Sequence, residues 1–599
     1  MMKRLMTLLL VLAMLLTGTA VAEAETSVTV GTVSRPSGMF FTEQWGSNTA
    51  DIDARTLLHG MSTVTWDADL DYRVDSKIVR EVKTRTDGEG NKTYTFKIRY
   101  NLAFSDGSPL TAKDYVFSIL LQSSPDILAL GADNLAYAHL LGYEEYASGQ
   151  TNVHAGVRLI DSHTFSVCIK EEYIPYFYEL TLANVTPYPM AVIAPDCHIK
   201  TGTDGSWITG PYSLELLQET ILDPETGYLS HPSVTSGPYS LETYDDVSGT
   251  ATFVRNPHYA GNYEGQKPSI DRLVLREVKY DEALSLLQSG EVDILNKLSS
   301  AEIIDAGLVL AGEGAIASAA YDRSGYGFVA LACEDAVTGS TAVRQAMAHC
   351  LDKQALIDAY LAGYGKPVHS YYGQGQWMVQ QYEGDLADVV TTYPVDTAAA
   401  AALLEQDGWT LNASGEPYAE GVRYKKLEDG TLQPLAIRFA KLASNDAAQW
   451  LSDNYAPVLE SVGFQWEPTE LAFNELLTHY YRQTERTYNA MFLATNFGMV
   501  FDPAYAFDTS EAAQGIYNTS GILDDELAQH AWNLRSVAPG DYATYEQHWL
   551  QLLKRFSDVL PTLPIYTNTY YDFFSTRIQG YAPDANWSWA CAILYTTVK

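Results

Sequence analysis

One group of interaction-capable side chains in this sequence lies at 371–382, YYGQGQWMVQQY, where aromatics and amides are packed between glycines. Glycine lets backbone approach a bound molecule closely, and aromatic rings with a polar edge make flat walls for it. The stretch suits holding a small molecule, not breaking bonds. The 41 Tyr, 11 Trp and 19 Phe residues extend that theme, although most must serve ordinary packing.

Signatures of bond-making chemistry are missing. No H-E-x-x-H pair of histidines could hold a catalytic zinc, and no G-x-S-x-G elbow presents a serine nucleophile. Gly365-Lys366 is followed by Pro367, which breaks the only approach to a phosphate-binding loop. Among 74 acids, chance pairs of carboxylates are inevitable, so a hydrolytic acid pair stays open as an alternative. No cofactor and no metal are expected. The cysteines, Cys168, Cys197, Cys333, Cys350 and Cys591, form no C-x-x-C; Cys168–Cys197 is a conceivable disulfide, and scattered buried thiols are the preferred reading.

A chain of 599 residues needs two or three cores. Lys3 and Arg4, the apolar run Leu5–Leu16 and the small residues Ala20-Val21-Ala22 and Ala22-Glu23-Ala24 read as a cleaved export signal, so 1–24 is set apart. The net charge of −36 becomes one unit more negative without that segment. Such a surface repels nucleic acid and anionic lipid, so neither is expected as a partner.

Alternation at Ser27–Thr32 and at TYTFKIRY (93–100) predicts strands. Thr111 with Asp114 three residues on predicts a capped helix. Between 434 and 481 a strand (435–440), a helix (446–462), a strand (464–468) and a helix (473–481) predict an α/β unit with a mainly parallel or mixed sheet. A last helix (541–556) precedes a strand (563–566).

Several segments, in order, resemble the family 5 extracytoplasmic solute-binding proteins, the oligopeptide- and dipeptide-binding group. They include YTFKIRYNLAFSDGSPLTAKDYVFS (94–118), TSGPYSLETYDDVSGTATFVRNPHYAG (235–261), KPSIDRL and LLQSGEVDI within 267–294, LLEQDGW (403–409) and LPTLPIY (560–566). The resemblance implies an α/β, two-lobed, hinged binding-protein fold of class II type with an additional domain. Lobe I would comprise 25–66, 190–295 and 567–599, the additional domain 67–189, and lobe II 296–566. It implies a monomer that captures a small ligand, a peptide first, for an ABC permease in the membrane, and releases it intact. An oligosaccharide ligand, a secreted hydrolase or a sensing module remain alternatives.

Two departures stand out. Thr19 replaces the lipidated cysteine that Gram-positive relatives carry, leaving a secreted, periplasmic or transporter-held protein. Peptide-binding members use an aspartate in a W-x-x-D-x-x-D-P-like stretch to hold the ligand's ammonium. Here Asp502 and Pro503 fit, but Met499 stands for that aspartate and Asn496 for the tryptophan. The resemblance makes Phe41, Trp45 and Asn48 (within 37–48), Tyr239, Tyr372, Trp377, Asn496, Phe497 and Met499 the candidate ligand contacts.

Overall fold

A computed structural model describes residues 25–46, 48–67, 71–515 and 517–599. The expected export signal lies outside the described residues. Ten strands form one continuous hydrogen-bonded path, with two more attached to it. The expected strand β1 (Ser27–Thr32) lies inside the sheet, parallel to both Arg272–Glu277 and Ile294–Leu298. Its Val28 and Val30 are fully buried, which is why alternation marked it.

The sheet changes body at a pair of antiparallel strands. Strand β2 (Ile316–Asp322) is followed after two residues by β3 (Gly325–Leu331), which lies between β4 (Ala490–Asn496) and the 14-residue β5 (Thr562–Ser575). The C-terminal half of β5 pairs with β2, from Thr569 opposite Asp322 to Ser575 opposite Ile316. Its N-terminal half pairs with β3, from Thr562 opposite Ala330 to Tyr566 opposite Gly327. The chain thus leaves the first body at 322–325 and returns at 567–569.

That crossing is tightly bonded. Thr567 Oγ1 lies 2.6 Å from Gly325 O and 3.1 Å from Arg323 O, and Arg323 N donates to Asn568 O at 3.0 Å. Arg323 Nε donates to Asn496 Oδ1 at 2.6 Å. A side chain at Gly325 has no room, because its Cβ would lie 1.8 Å from Thr495 O.

Residues 79–169 form a separate four-stranded antiparallel sheet, covered by α1 (Ala112–Gln122). The expected cap is present, with Thr111 N donating to Asp114 Oδ2 at 2.9 Å. The second body holds the α/β unit foreseen at 434–481, with Ala436–Leu442 parallel to Gln465–Leu471. Its connecting helix widens into a π turn at Leu451–Tyr455 just before Pro457, which lacks the N–H that a regular helix would use. The body also carries α2 (Trp377–Gln381), α3 (Asp525–Arg535) and α4 (Tyr542–Val559). All five cysteines are free, so the conceivable Cys168–Cys197 bridge is not formed. No helix among the described residues is long and apolar enough to cross a membrane.

Gly325→Ala forces the backbone at the crossing apart. We expect a loss of about 2 kcal/mol or more, measured by urea denaturation; unchanged stability would show that the crossing is looser than described.

Candidate ligand cleft between the two bodies

A cavity of about 410 Å³ opens where residues 71–73 and 177–180 meet the second body. Tyr72, Phe177 and Tyr178 wall it from one side, Trp377 and Tyr542 from the other. Each wall has a local cause. Tyr72 begins a short strand paired with Val64–Trp66. Phe177 and Tyr178 sit on an irregular arm whose Phe177 N donates to Arg535 O across the bodies at 3.0 Å.

Trp377 opens α2, and the loop before it is pinned to the crossing. Gly375 N donates to Arg323 O at 3.0 Å, and Gln376 Oε1 accepts from Gly373 N at 2.9 Å. A Cβ on Gly373 or Gly375 would come within 2.3 Å of the crossing backbone, so only glycine permits this approach. Tyr542 begins α4, capped by Asp541, and Tyr545 follows one turn later on the same face.

The phenols behind the walls are spoken for. Tyr545 OH donates to Phe501 O at 3.2 Å, Tyr178 OH lies 3.0 Å from Tyr545 OH, and Trp377 Nε1 donates to Tyr178 OH at 3.3 Å. Burial pushes the Tyr178 hydroxyl up to about 12, so it stays neutral. Phe177 stacks on Tyr545 with ring centroids 4.0 Å apart.

The other candidates are distributed elsewhere. Tyr372 lines a second cavity of about 400 Å³ with Lys366, His369 and Gln374. Asn496 is exposed and holds Arg323 at the crossing; Phe497 packs on Tyr326, Tyr371 and Phe501; Met499 is half-buried against the same core. In the first body Phe41 is fully buried between Trp45, Tyr188 and Tyr228. Asn48 caps the helix Thr49–Leu58, and Tyr239 donates from a fully buried site to Ile270 O at 3.1 Å. The structure therefore brings Trp377 alone of the nine to the cavity walled by Tyr72, Phe177, Tyr178 and Tyr542.

Sequence reasoning missed Tyr72, Phe177, Tyr178 and Tyr542. A usable signal was Tyr173-Ile174-Pro175-Tyr176-Phe177-Tyr178, aromatics crowded together without helical or strand period.

No free carboxylate stands at the position expected to hold an ammonium group. Asp502 is ion-paired with Arg535, the last residue of α3. Arg535 is 8% exposed, with its guanidinium 4.6 Å from the Tyr176 ring centre and 5.1 Å from that of Tyr505. A deeply buried acid does occur in the first body. Asp572 accepts from Tyr581 OH, Asn296 Nδ2, Lys297 N and Tyr321 OH, and burial raises its pKa. Among the described residues no three His, Cys, Asp or Glu side chains group as metal ligands.

Removing Arg535 leaves the half-buried Asp502 without its ion-pair partner. We expect Arg535→Ala to cost about 3 kcal/mol, read from denaturant midpoints, with Arg535→Lys restoring only part because a point charge cannot replace the planar contact with Tyr176. Full stability of Arg535→Ala would contradict the pairing.

Comparison with known proteins agrees with this architecture. The Escherichia coli periplasmic oligopeptide-binding protein OppA is 28% identical over 219 residues, 36% of this chain and 35% of that protein. That alignment spans about a third of the relative's length. A nickel-binding periplasmic protein of the same organism is 23% identical over 509 residues, 82% of each chain. The oligopeptide-binding protein AppA of Bacillus subtilis, solved with a nonapeptide, superposes with a TM-score of 0.66 at 16% identity, covering 96% of this chain and 100% of that one. The fold is thus the two-lobed one of those binding proteins. Residues 78–518 match the model of bacterial extracellular solute-binding proteins, family 5 Middle, and on that match the chain belongs to this family.

Proposed function

We propose that this protein is the extracytoplasmic solute-binding component of an ABC importer, capturing a small ligand between two lobes and delivering it intact to a membrane permease. The observation that carries the reading is the aromatic cavity between two bodies joined by only two strands of chain. Such a joint permits rigid bodies to close over a ligand, and desolvated aromatic walls supply affinity without bond chemistry. We place the boundary at Asp322–Gly325, after β2, because β2 pairs with the first half of the sheet. Lobe I is then 25–66, 190–322 and 567–599 with the additional domain 67–189, and lobe II is 325–566.

A peptide is the first-choice ligand, on the strength of relatives named for oligopeptides and dipeptides. Met499 and the already neutralised Asp502 argue against anchoring a free α-ammonium in the manner expected from the resemblance. Trp377 is the ligand contact we favour most, followed by Tyr372 and the Asn496–Met499 stretch near the crossing.

Native mass spectrometry of freshly purified protein is expected to find one retained small molecule per chain, recovered with unchanged mass after incubation. Trp377→Ala should weaken its retention by about tenfold, equivalent to roughly 1.4 kcal/mol. Catalytic conversion of the retained molecule would contradict the binding reading.

A further inference from the structure

The cavity beside Trp377 is walled mainly by aromatic rings. Trp377 and Tyr542 meet nearly at right angles, 86° with centroids 6.0 Å apart. Phe177 and Tyr542 do the same at 88° and 5.4 Å, and Tyr72 and Tyr178 at 88° and 6.0 Å. These rings pack edge to face on one another, so the cavity is bounded by ring edges and parts of ring faces set in several directions. The hydroxyl of Tyr178 and the indole N–H of Trp377 are used behind the walls, so what faces inward is largely ring surface.

Two charged side chains line this box, Asp71 and Arg73, and Arg73 is already ion-paired with Asp67. Asp71 lies on the cavity wall and accepts a hydrogen bond from Tyr542 OH. It forms no ion pair among the described residues, whereas the neighbouring Arg73 is bound to Asp67 and lies 5.6 Å from the Tyr263 ring centre. A carboxylate beside converging aromatic faces is complementary to a cation, since ring faces carry the negative side of the aromatic quadrupole. The strongly acidic chain adds a favourable long-range field.

The type of cation follows from the hydrogen-bond inventory. A primary ammonium has three N–H donors to satisfy, and a buried donor without an acceptor is costly. Asp71 is the one carboxylate on this cavity's wall, so a primary ammonium would find a single strong acceptor side chain for its three donors. A quaternary ammonium has no N–H donors to satisfy, and its methyl groups suit ring faces.

We propose that the cavity bounded by Asp71, Tyr72, Phe177, Tyr178, Trp377 and Tyr542 is a site for a quaternary ammonium group of the transported molecule. The inference rests on the binding-protein reading above and specifies its ligand chemistry.

Isothermal titration of the purified protein with three probes tests it: choline, its neutral carbon isostere 3,3-dimethylbutan-1-ol, and ethanolamine. Choline should bind saturably and about tenfold tighter than either other probe. Asp71→Asn and Trp377→Phe, conservative changes whose folding is checked by circular dichroism, should each weaken choline by about threefold or more. Equal affinity for choline and the neutral isostere, or choline binding indifferent to both variants, overturns the inference. If choline does not bind while native mass spectrometry still finds another retained molecule, this inference falls and the binding-protein reading stands. If neither is seen, both fall.

Discussion

The antiparallel crossing of 322–325 with 567–569 is the constraint on which the rest of the molecule depends. Strand β5 is long enough to serve two sheets at once, and Thr567 and Asn568 bond the returning chain to the departing one. Gly325, Gly373 and Gly375 let three backbones meet there without intervening side chains. The loop carrying Trp377 is hydrogen-bonded to the same point, so a cavity wall and the joint between lobes are mechanically one unit.

Contacts across the cleft are of a different kind. They consist mainly of aromatic pairs such as Phe177 with Tyr545, each contributing on the order of 1 kcal/mol beyond its area burial. They also include the Phe177–Arg535 backbone bond and Asn586 Nδ2 donating to Gly375 O at 2.9 Å. Interactions of this size can be made and broken at ordinary temperature, while the bonded crossing persists. A ligand with a modest preference for the closed arrangement is then enough to set the balance.

Much of the fold was legible because its signals are local. β1 and the α/β unit at 434–481 announced themselves by period, and Thr111 with Asp114 by cap chemistry. The crossing was harder to see: the sequence pattern marks a strand only at 563–566, whereas β5 runs on through Thr567 and Asn568 to Ser575. They are buried, and their polarity is used to bond the crossing instead. The cavity's lining was not legible in the sequence, because it is assembled from segments far apart in the chain, at Tyr72, Phe177, Trp377 and Tyr542. Phe41 and Tyr239 illustrate the converse, aromatic residues in recognisable segments whose burial serves packing within one body.

The central claim is that two rigid lobes move about the crossing to enclose a ligand. Its most direct test is the distance between fluorophores on exposed sites of the two lobes, for example Val247 and Leu523. The protein would be measured as purified, after unfolding and refolding free of small molecules, and after return of its own small-molecule extract. The account predicts a longer distance in the stripped protein and recovery of the shorter one on adding the extract. One distance in all three states, with the ligand demonstrably removed and rebound, would contradict it.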